Sequence, residues 1–263
     1  MPKITIGQQE IAFMEEGTGE ALFMFPDNIH SSLAFREEFA YFSKDYRVLS
    51  FDYPGSGRSS RQIMNADERT YDLWNYYADF ACHLLMAQNI TKCYAMGVSE
   101  GALAALQFAG RQARLHKIET LGVIADSFLC NYDTQSLHRL LDAREHYYVR
   151  HSKELQEQHG EDWRQVVDAD TAALRKLADH GGYELPECVL KTIVCPVLLT
   201  GNLRDTLTPG IALEYARISA IIPKCSVYLA SESGDRYGHE HPLMWTAPTL
   251  FRAVASLFFS AVN

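Results

Sequence analysis

The sequence predicts an α/β fold in which a mostly parallel sheet carries helices on both faces. Short apolar runs typical of buried strands alternate with helix-like runs over residues 1–126, and the alternation returns over residues 191–263. Turn-rich segments such as Asp52-Tyr53-Pro54-Gly55-Ser56-Gly57 separate the runs. Because a parallel connection between strands usually contains a crossover helix, this alternation indicates a parallel sheet.

Each element follows from a local pattern. Strands are predicted by runs that are apolar without interruption or in which apolar and polar residues alternate. Such runs occur at residues 3–16 (two strands around a turn at 7–9), 21–25, 46–51, 92–96, 118–125, 194–200 and 226–230. Apolar residues at helical spacing predict helices at 33–43, 71–88, 102–109, 211–219 and 248–260. We expect ligands to bind at the carboxyl ends of the strands.

The segment 127–190 differs from the rest of the chain. It is charged and helix-rich, and no clear strand interrupts it. We therefore predict a core formed by residues 1–126 and 191–263, with residues 127–190 inserted as a helical lid over the carboxyl ends of the strands. The aromatic residues of this segment either line a substrate pocket or pack in its core: Tyr132, Tyr147, Tyr148, Trp163 and Tyr183.

Composition and charge exclude several classes of function. The net charge is −9 and no basic run is present, which argues against nucleic acid or an anionic membrane as partner and leaves a small-molecule substrate. The sequence contains neither an apolar stretch of roughly 18 residues nor a signal-peptide pattern at its start. Six widely spaced cysteines without a C-x-x-C motif predict reduced thiols in a cytoplasmic protein, with no zinc site. A homodimer is one alternative for the oligomeric state.

The segment Gly97-Val98-Ser99-Glu100-Gly101 matches the pattern G-x-S-x-G. It stands between a predicted strand and an alanine-rich helix, so Ser99 is expected at the tip of a tight turn. The glycines are needed because side chains beside the serine would clash with the strand and helix that the turn connects. The hydroxyl would then lie at a helix N-terminus, where free N–H groups can bind an oxyanion.

Together with this pattern, three further segments occur in an order that resembles the α/β-hydrolase superfamily. Residues 51–59 resemble its D-x-x-G-x-G-x-S loop, residues 201–209 resemble its G-x-x-x-D-x-x-x-P loop, and a histidine-bearing loop precedes the last helix. The resemblance extends over essentially the full chain. It implies a nucleophile elbow at Ser99 and the chain order Ser, Asp, His.

A Ser-His-Asp triad explains why these residue types occur together. A serine hydroxyl is a weak nucleophile, so an imidazole must accept its proton, and a carboxylate must orient that imidazole. We expect Asp205 to be the acid, with Asp126 as the alternative. His241 begins the register H-x-x-x-x-x-x-P of the family, and His239 follows a glycine as the family histidine often does. We favour His241 as the base, and His239 is the alternative.

The loop after the first central strand departs from the family pattern. Where the family has His-Gly, this chain has Pro26-Asp27, followed by Asn28. Backbone donors do not depend on the side chain, so the N–H groups of Asn28 and Glu100 are expected to form the oxyanion hole.

The sequence therefore predicts a serine hydrolase that cleaves a small carboxylic ester through an acyl-enzyme, without a cofactor or a metal. An aminopeptidase-like amide hydrolase and a carbon–carbon bond hydrolase share the same triad and differ in the lid. A non-catalytic ligand-binding or interaction module of the same fold is the alternative from another class. A haloalkane dehalogenase is disfavoured, because its nucleophile would be an aspartate.

Overall fold

The strands and long helices of the core overlap the predicted elements, and the helix predicted at 102–109 is longer, Glu100–Leu115. The computed structural model describes residues 1–61, 73–115, 117–231 and 240–262. Its strands are β1 (Lys3–Ile6), β2 (Gln9–Glu16), β3 (Glu20–Phe25), β4 (Tyr46–Phe51), β5 (Lys92–Val98), β6 (Glu119–Asp126), β7 (Asn131–Asp133), β8 (Gly182–Glu184), β9 (Val197–Asn202) and β10 (Cys225–Ala230). Its helices are α1 (Arg36–Phe42), α2 (Leu73–Ala87), α3 (Glu100–Leu115), α4 (Thr134–Arg150), α5 (Ser152–His159), α6 (Trp163–Asp179), α7 (Glu187–Leu190), α8 (Ile211–Ile221), α9 (Leu243–Thr246) and α10 (Pro248–Val262).

Within the described ranges, the central sheet has eight strands in the order β1-β2-β4-β3-β5-β6-β9-β10. The pairs β1–β2 and β2–β4 are antiparallel. All neighbours from β4 to β10 are parallel. This arrangement confirms the prediction of a mostly parallel sheet.

Helices cover both faces of the sheet, because its central strands are apolar on both sides. Leu22 and Met24 of β3 pack in a cluster with Phe39 of α1 and Phe251 of α10. Phe23, which points to the other face, belongs to a second cluster that includes residues of α2, α3 and α8. Alternate residues of one strand thus contribute to two cores, which explains the uninterrupted apolar runs in the sequence.

Three short elements in the described ranges were not predicted from the sequence. β7 and β8 pair antiparallel inside the segment that was predicted to contain no strand, with Tyr132 opposite Tyr183. The expectation of a strand-free segment was therefore wrong. Strands of three residues are too short to show an alternating pattern, and β7 and β8 are about 50 residues apart in the chain. The four-residue helix α9 is equally too short for a helical period to appear.

The described cysteines agree with the expectation of thiols. All six are free; Cys82, Cys93, Cys130 and Cys195 are buried, and Cys188 is exposed. No helix in the described part of the chain is long and apolar enough to cross a membrane.

The sheet order brings the predicted site residues to one edge. β3, β5, β6 and β9 are parallel neighbours, so their carboxyl ends lie side by side. Asn28 follows β3, Ser99 follows β5, Asp126 ends β6 and Asp205 follows β9. His241 comes after β10, the next strand of the sheet.

Candidate active site

Ser99 stands on a sharp turn between β5 and α3. Its φ angle is 52°, in the left-handed region that side chains other than glycine rarely adopt. A Cβ atom at Gly97 would overlap the backbone of Gly101, and one at Gly101 would overlap the carbonyl oxygens of Phe25 and Pro26. Both glycines therefore allow a backbone approach that no side chain would permit, and this approach puts the start of α3 beside the loop that follows β3.

The three predicted side chains form a continuous hydrogen-bonded row. His241 Nε2 lies 2.8 Å from Ser99 Oγ, and His241 Nδ1 lies 2.6 Å from Asp205 Oδ2. The other carboxylate oxygen, Oδ1, accepts the N–H groups of Leu207 (2.8 Å) and Thr208 (3.3 Å). These two bonds orient the carboxylate, so that Oδ2 is directed at the imidazole.

The electrostatic environment of His241 favours its protonated form. Burial alone lowers the pKa of this imidazole, but the charge of Asp205 and its hydrogen bond outweigh burial and raise the pKa to about 9. The carboxylate therefore stabilises an imidazolium, the form that a general base adopts after it has taken up a proton. The alternative histidine, His239, lies outside the described residues.

Asp126, the alternative acid, is bonded to the loop around His241 and has no hydrogen bond to the imidazole. Its carboxylate accepts the hydroxyl of Thr200 (2.7 Å) and the backbone N–H of Met244 (3.0 Å). Burial is the main reason why the pKa of Asp126 is raised, to about 7. Asp126 therefore anchors the loop around His241, whereas Asp205 contacts the imidazole of His241 itself.

The side chain of Asp27 explains how the loop after β3 forms without the family's glycine. Its Oδ1 accepts the backbone N–H groups of Ile29 (3.1 Å) and His30 (2.9 Å), as in an Asx turn. Neither Asp27 nor Asn28 has a positive φ angle, so the conformation needs no glycine at either position. Among the described residues, no acceptor binds the backbone N–H of Asn28.

Asp27 also forms a buried ion pair with His30, which sequence reasoning did not find. The Nδ1 atom of His30 lies 2.8 and 2.9 Å from the two carboxylate oxygens, and its Nε2 lies 2.8 Å from the hydroxyl of Tyr147 in α4. Burial opposes both charges, but the attraction between the partners outweighs it, so the pKa of His30 is raised and that of Asp27 is lowered. In the sequence, the pair was indicated by the spacing of three residues between Asp27 and His30.

A second buried network joins Ser99 to the segment 127–190. The hydroxyl of Ser99 lies 3.0 Å from Glu100 Oε2, and Glu100 Oε1 accepts a bond of 2.8 Å from the guanidinium of Arg144. Arg144 also donates to Asp170 Oδ2 at 2.6 Å. The side chains of Glu100, Arg144 and Asp170 are each only 6% exposed. In the sequence, this network was indicated by the position of Arg144 within the apolar stripe of a helix, four residues after Leu140.

Helix α4 forms one wall of the cavity above Ser99. The cavity has a volume of about 110 Å³, and α4 contributes Leu140, Ala143, Arg144 and Tyr147, which share one face of the helix. Of the aromatic residues considered in the sequence, Tyr147 therefore lines this cavity. Tyr132 and Tyr148 are buried in hydrophobic clusters.

His159 connects α5 to two loops of the core. Its Nδ1 accepts the backbone N–H of Gly57 (2.9 Å), and its Nε2 donates to the carbonyl of Ile29 (2.9 Å). This pair of bonds requires a neutral ring with its proton on Nε2. Burial is the main reason why the pKa of His159 is lowered, to about 4.

The comparisons with known proteins agree with this architecture. Residues 21–135 match a family model described as the alpha/beta hydrolase fold. No curated protein matches the chain in sequence. Among solved structures, the chain is similar to a thermophilic esterase from Thermogutta terrifontis with malate bound (17% identity, TM-score 0.71, covering 100% of this chain and 99% of that one).

Two other solved structures are similar over nearly their full length. E-2-(acetamidomethylene)succinate hydrolase shares 18% identity with a TM-score of 0.70, covering 98% of each chain. The enol-lactonase from Burkholderia xenovorans LB400 shares 15% identity with a TM-score of 0.68, covering 98% of this chain and 100% of that one. At these identities the likeness establishes the fold.

The bonds of His159 predict how stability depends on pH. The unfolded chain protonates this histidine below about pH 6.5, whereas the folded chain resists protonation down to about pH 4. The contribution of His159 to stability is therefore complete above pH 6.5 and is lost as the pH falls toward 4.

In denaturant titrations at several pH values, His159→Gln should lower the slope of unfolding free energy against pH in this window, by up to about 1.4 kcal/mol per pH unit. The matched control is His180→Gln, a change at an exposed histidine, which should keep the wild-type slope. Equal slopes in the wild type and the His159 variant would contradict the interpretation.

Proposed function

We propose that this chain, which belongs to the α/β-hydrolase superfamily, is a serine hydrolase that cleaves a small carboxylic ester through an acyl-enzyme. The observation that carries the proposal is the row of Ser99, His241 and Asp205, with contacts of 2.8 and 2.6 Å at the carboxyl edge of the sheet. Nucleophile, base and orienting acid within hydrogen-bonding distance are the geometric requirement for acyl transfer.

In the proposed reaction, Ser99 Oγ forms a bond to the ester carbonyl carbon while His241 Nε2 takes the hydroxyl proton. The carbonyl oxygen becomes an oxyanion, which the backbone N–H groups of Asn28 and Glu100 bind. The carbon–oxygen bond to the leaving group then breaks, and His241 transfers its proton to the departing alcohol. Water attacks the acyl-enzyme by the same route and releases the carboxylic acid.

We assign the segment 127–190 the role of a lid over this site. The contribution of α4 to the cavity wall above Ser99 supports the assignment, and changes in this segment should alter the range of substrates. Similar structures that are named esterase and enol-lactonase support a small ester or lactone as substrate. A cytoplasmic location and a homodimer remain predictions from the sequence.

The first test of the proposal is Ser99→Ala. Removing the nucleophile should lower hydrolysis of a nitrophenyl acetate by at least about 1,000-fold while the fold is retained. A fluorophosphonate probe should label the wild type and not the variant. The exposed Ser260→Ala on α10 is the matched control and should behave as the wild type. Hydrolysis that persists in Ser99→Ala would refute the serine mechanism, and a wild type that neither hydrolyses nor labels would favour a non-catalytic ligand-binding protein.

The two candidate acids can be separated by amide substitutions. Asp205→Asn should lower kcat by at least about 100-fold, because the amide can hold the imidazole in the wrong tautomer. Asp126→Asn should have a much smaller effect, because Asp126 is bonded to Thr200 and to the backbone of Met244 rather than to the ring. A larger loss of kcat in Asp126→Asn would reverse the assignment of the acid.

The two candidate bases differ in the expected effect on pH dependence. His241 must be neutral to accept a proton, so kcat/KM should rise with pH toward a midpoint near the raised pKa of about 9. His241→Gln should abolish acylation at every pH, and His239→Gln should keep both the rate and the profile. Rates must be corrected for hydrolysis by buffer alone. An inactive His239 variant beside a fully active His241 variant would show that His239 is the base.

A further inference from the structure

We propose that Arg144 of α4 is a positioning residue of the active site, which neutralises and orients the Glu100 carboxylate and thereby makes the oxyanion hole beside Ser99 effective. This inference rests on the proposed function. The inference extends the proposed function in one respect: the segment 127–190 contributes to turnover itself, and not only to the choice of substrate.

Glu100 occupies an unusual place for a carboxylate. It follows the nucleophile directly, and its backbone N–H is one of the two proposed oxyanion donors. Its Oε2 lies 3.0 Å from Ser99 Oγ, and its side chain is only 6% exposed. A negative charge in such a position opposes the negative charge that develops on the carbonyl oxygen during attack, because a buried site screens charges poorly.

Arg144 supplies the compensating charge. Its guanidinium donates to Glu100 Oε1 at 2.8 Å, on the carboxylate oxygen that does not face Ser99. Asp170 of α6 accepts from the other arm of the guanidinium at 2.6 Å and so fixes its direction. One cation from the lid segment thus binds the carboxylate beside the nucleophile.

The network also affects the hydroxyl of Ser99, which has two potential acceptors. His241 Nε2 lies 2.8 Å away and Glu100 Oε2 lies 3.0 Å away. A proton directed at Glu100 is not in position for transfer to His241. By drawing the charge of Glu100 toward Oε1, Arg144 weakens the competing acceptor and favours the hydrogen bond to the imidazole.

The test compares two double variants, because removing one member of a buried ion network also destabilises a fold. Arg144→Met combined with Glu100→Gln removes the carboxylate beside Ser99. Arg144→Met combined with Asp170→Asn removes the other carboxylate and leaves Glu100 charged. A purely structural role would be rescued equally by either second change. The proposed role requires that only Glu100→Gln restores turnover.

We expect Arg144→Met, alone or with Asp170→Asn, to lower kcat for a nitrophenyl ester by at least about 100-fold, the scale of losing one oxyanion donor. Adding Glu100→Gln to Arg144→Met should recover at least about tenfold of that loss, because no uncompensated carboxylate then remains beside Ser99. KM should change less than kcat, because the charge acts on the transition state. Arg164→Met, at an exposed arginine of α6 that also has two carboxylate partners, should keep the wild-type kcat.

Near-ultraviolet circular dichroism and thermal melting identify the variants that fold, and the comparison between the two double variants holds even if Arg144→Met alone does not fold. Equal kcat values in the two double variants or an undiminished kcat in Arg144→Met would overturn the inference. Failure of the proposed function would be visible separately, as a wild-type protein that a fluorophosphonate does not label at Ser99.

Discussion

The whole site depends on the close backbone approach at Gly97 and Gly101. Because neither glycine carries a Cβ atom, the start of α3 can lie directly against the loop after β3. Ser99 then adopts its positive φ angle at the tip of the turn, above the carboxyl ends of the central strands. The parallel sheet order delivers the remaining site residues to the same edge, so one local constraint and one topology together define where the chemistry can occur.

Aspartates at this edge hold the loops of the site, and two of them also bind a histidine. In Asp205, one carboxylate oxygen binds backbone N–H groups of its own loop and the other faces His241. Asp27 similarly binds the N–H groups of its own loop and pairs with His30. Asp126 anchors the neighbouring loop instead. Each loop is therefore held by a buried acceptor. Attraction to His30 lowers the pKa of Asp27, whereas burial raises the pKa of Asp126 to about 7.

The segment 127–190 is joined to the core by polar contacts as well as apolar ones. His159 binds the backbone of two core loops, Tyr147 binds His30, and Arg144 binds Glu100. The contacts of Tyr147 and Arg144 lie at the cavity above Ser99. A movement of these helices would break several buried hydrogen bonds at once and leave polar groups without partners, which opposes such a movement.

The sequence by itself determined the fold class, the place of the core strands and helices and a serine at the edge of the sheet, because periodicity, the glycine-flanked serine and motif order are local signals. It left open which aspartate and which histidine lie beside that serine, and the form of the loop at Asp27. Tertiary structure decided those contacts, together with the Glu100–Arg144 pair and the short strands β7 and β8. Such features depend on residues that are distant in the chain, and no local pattern records which buried charges become neighbours once the helices pack.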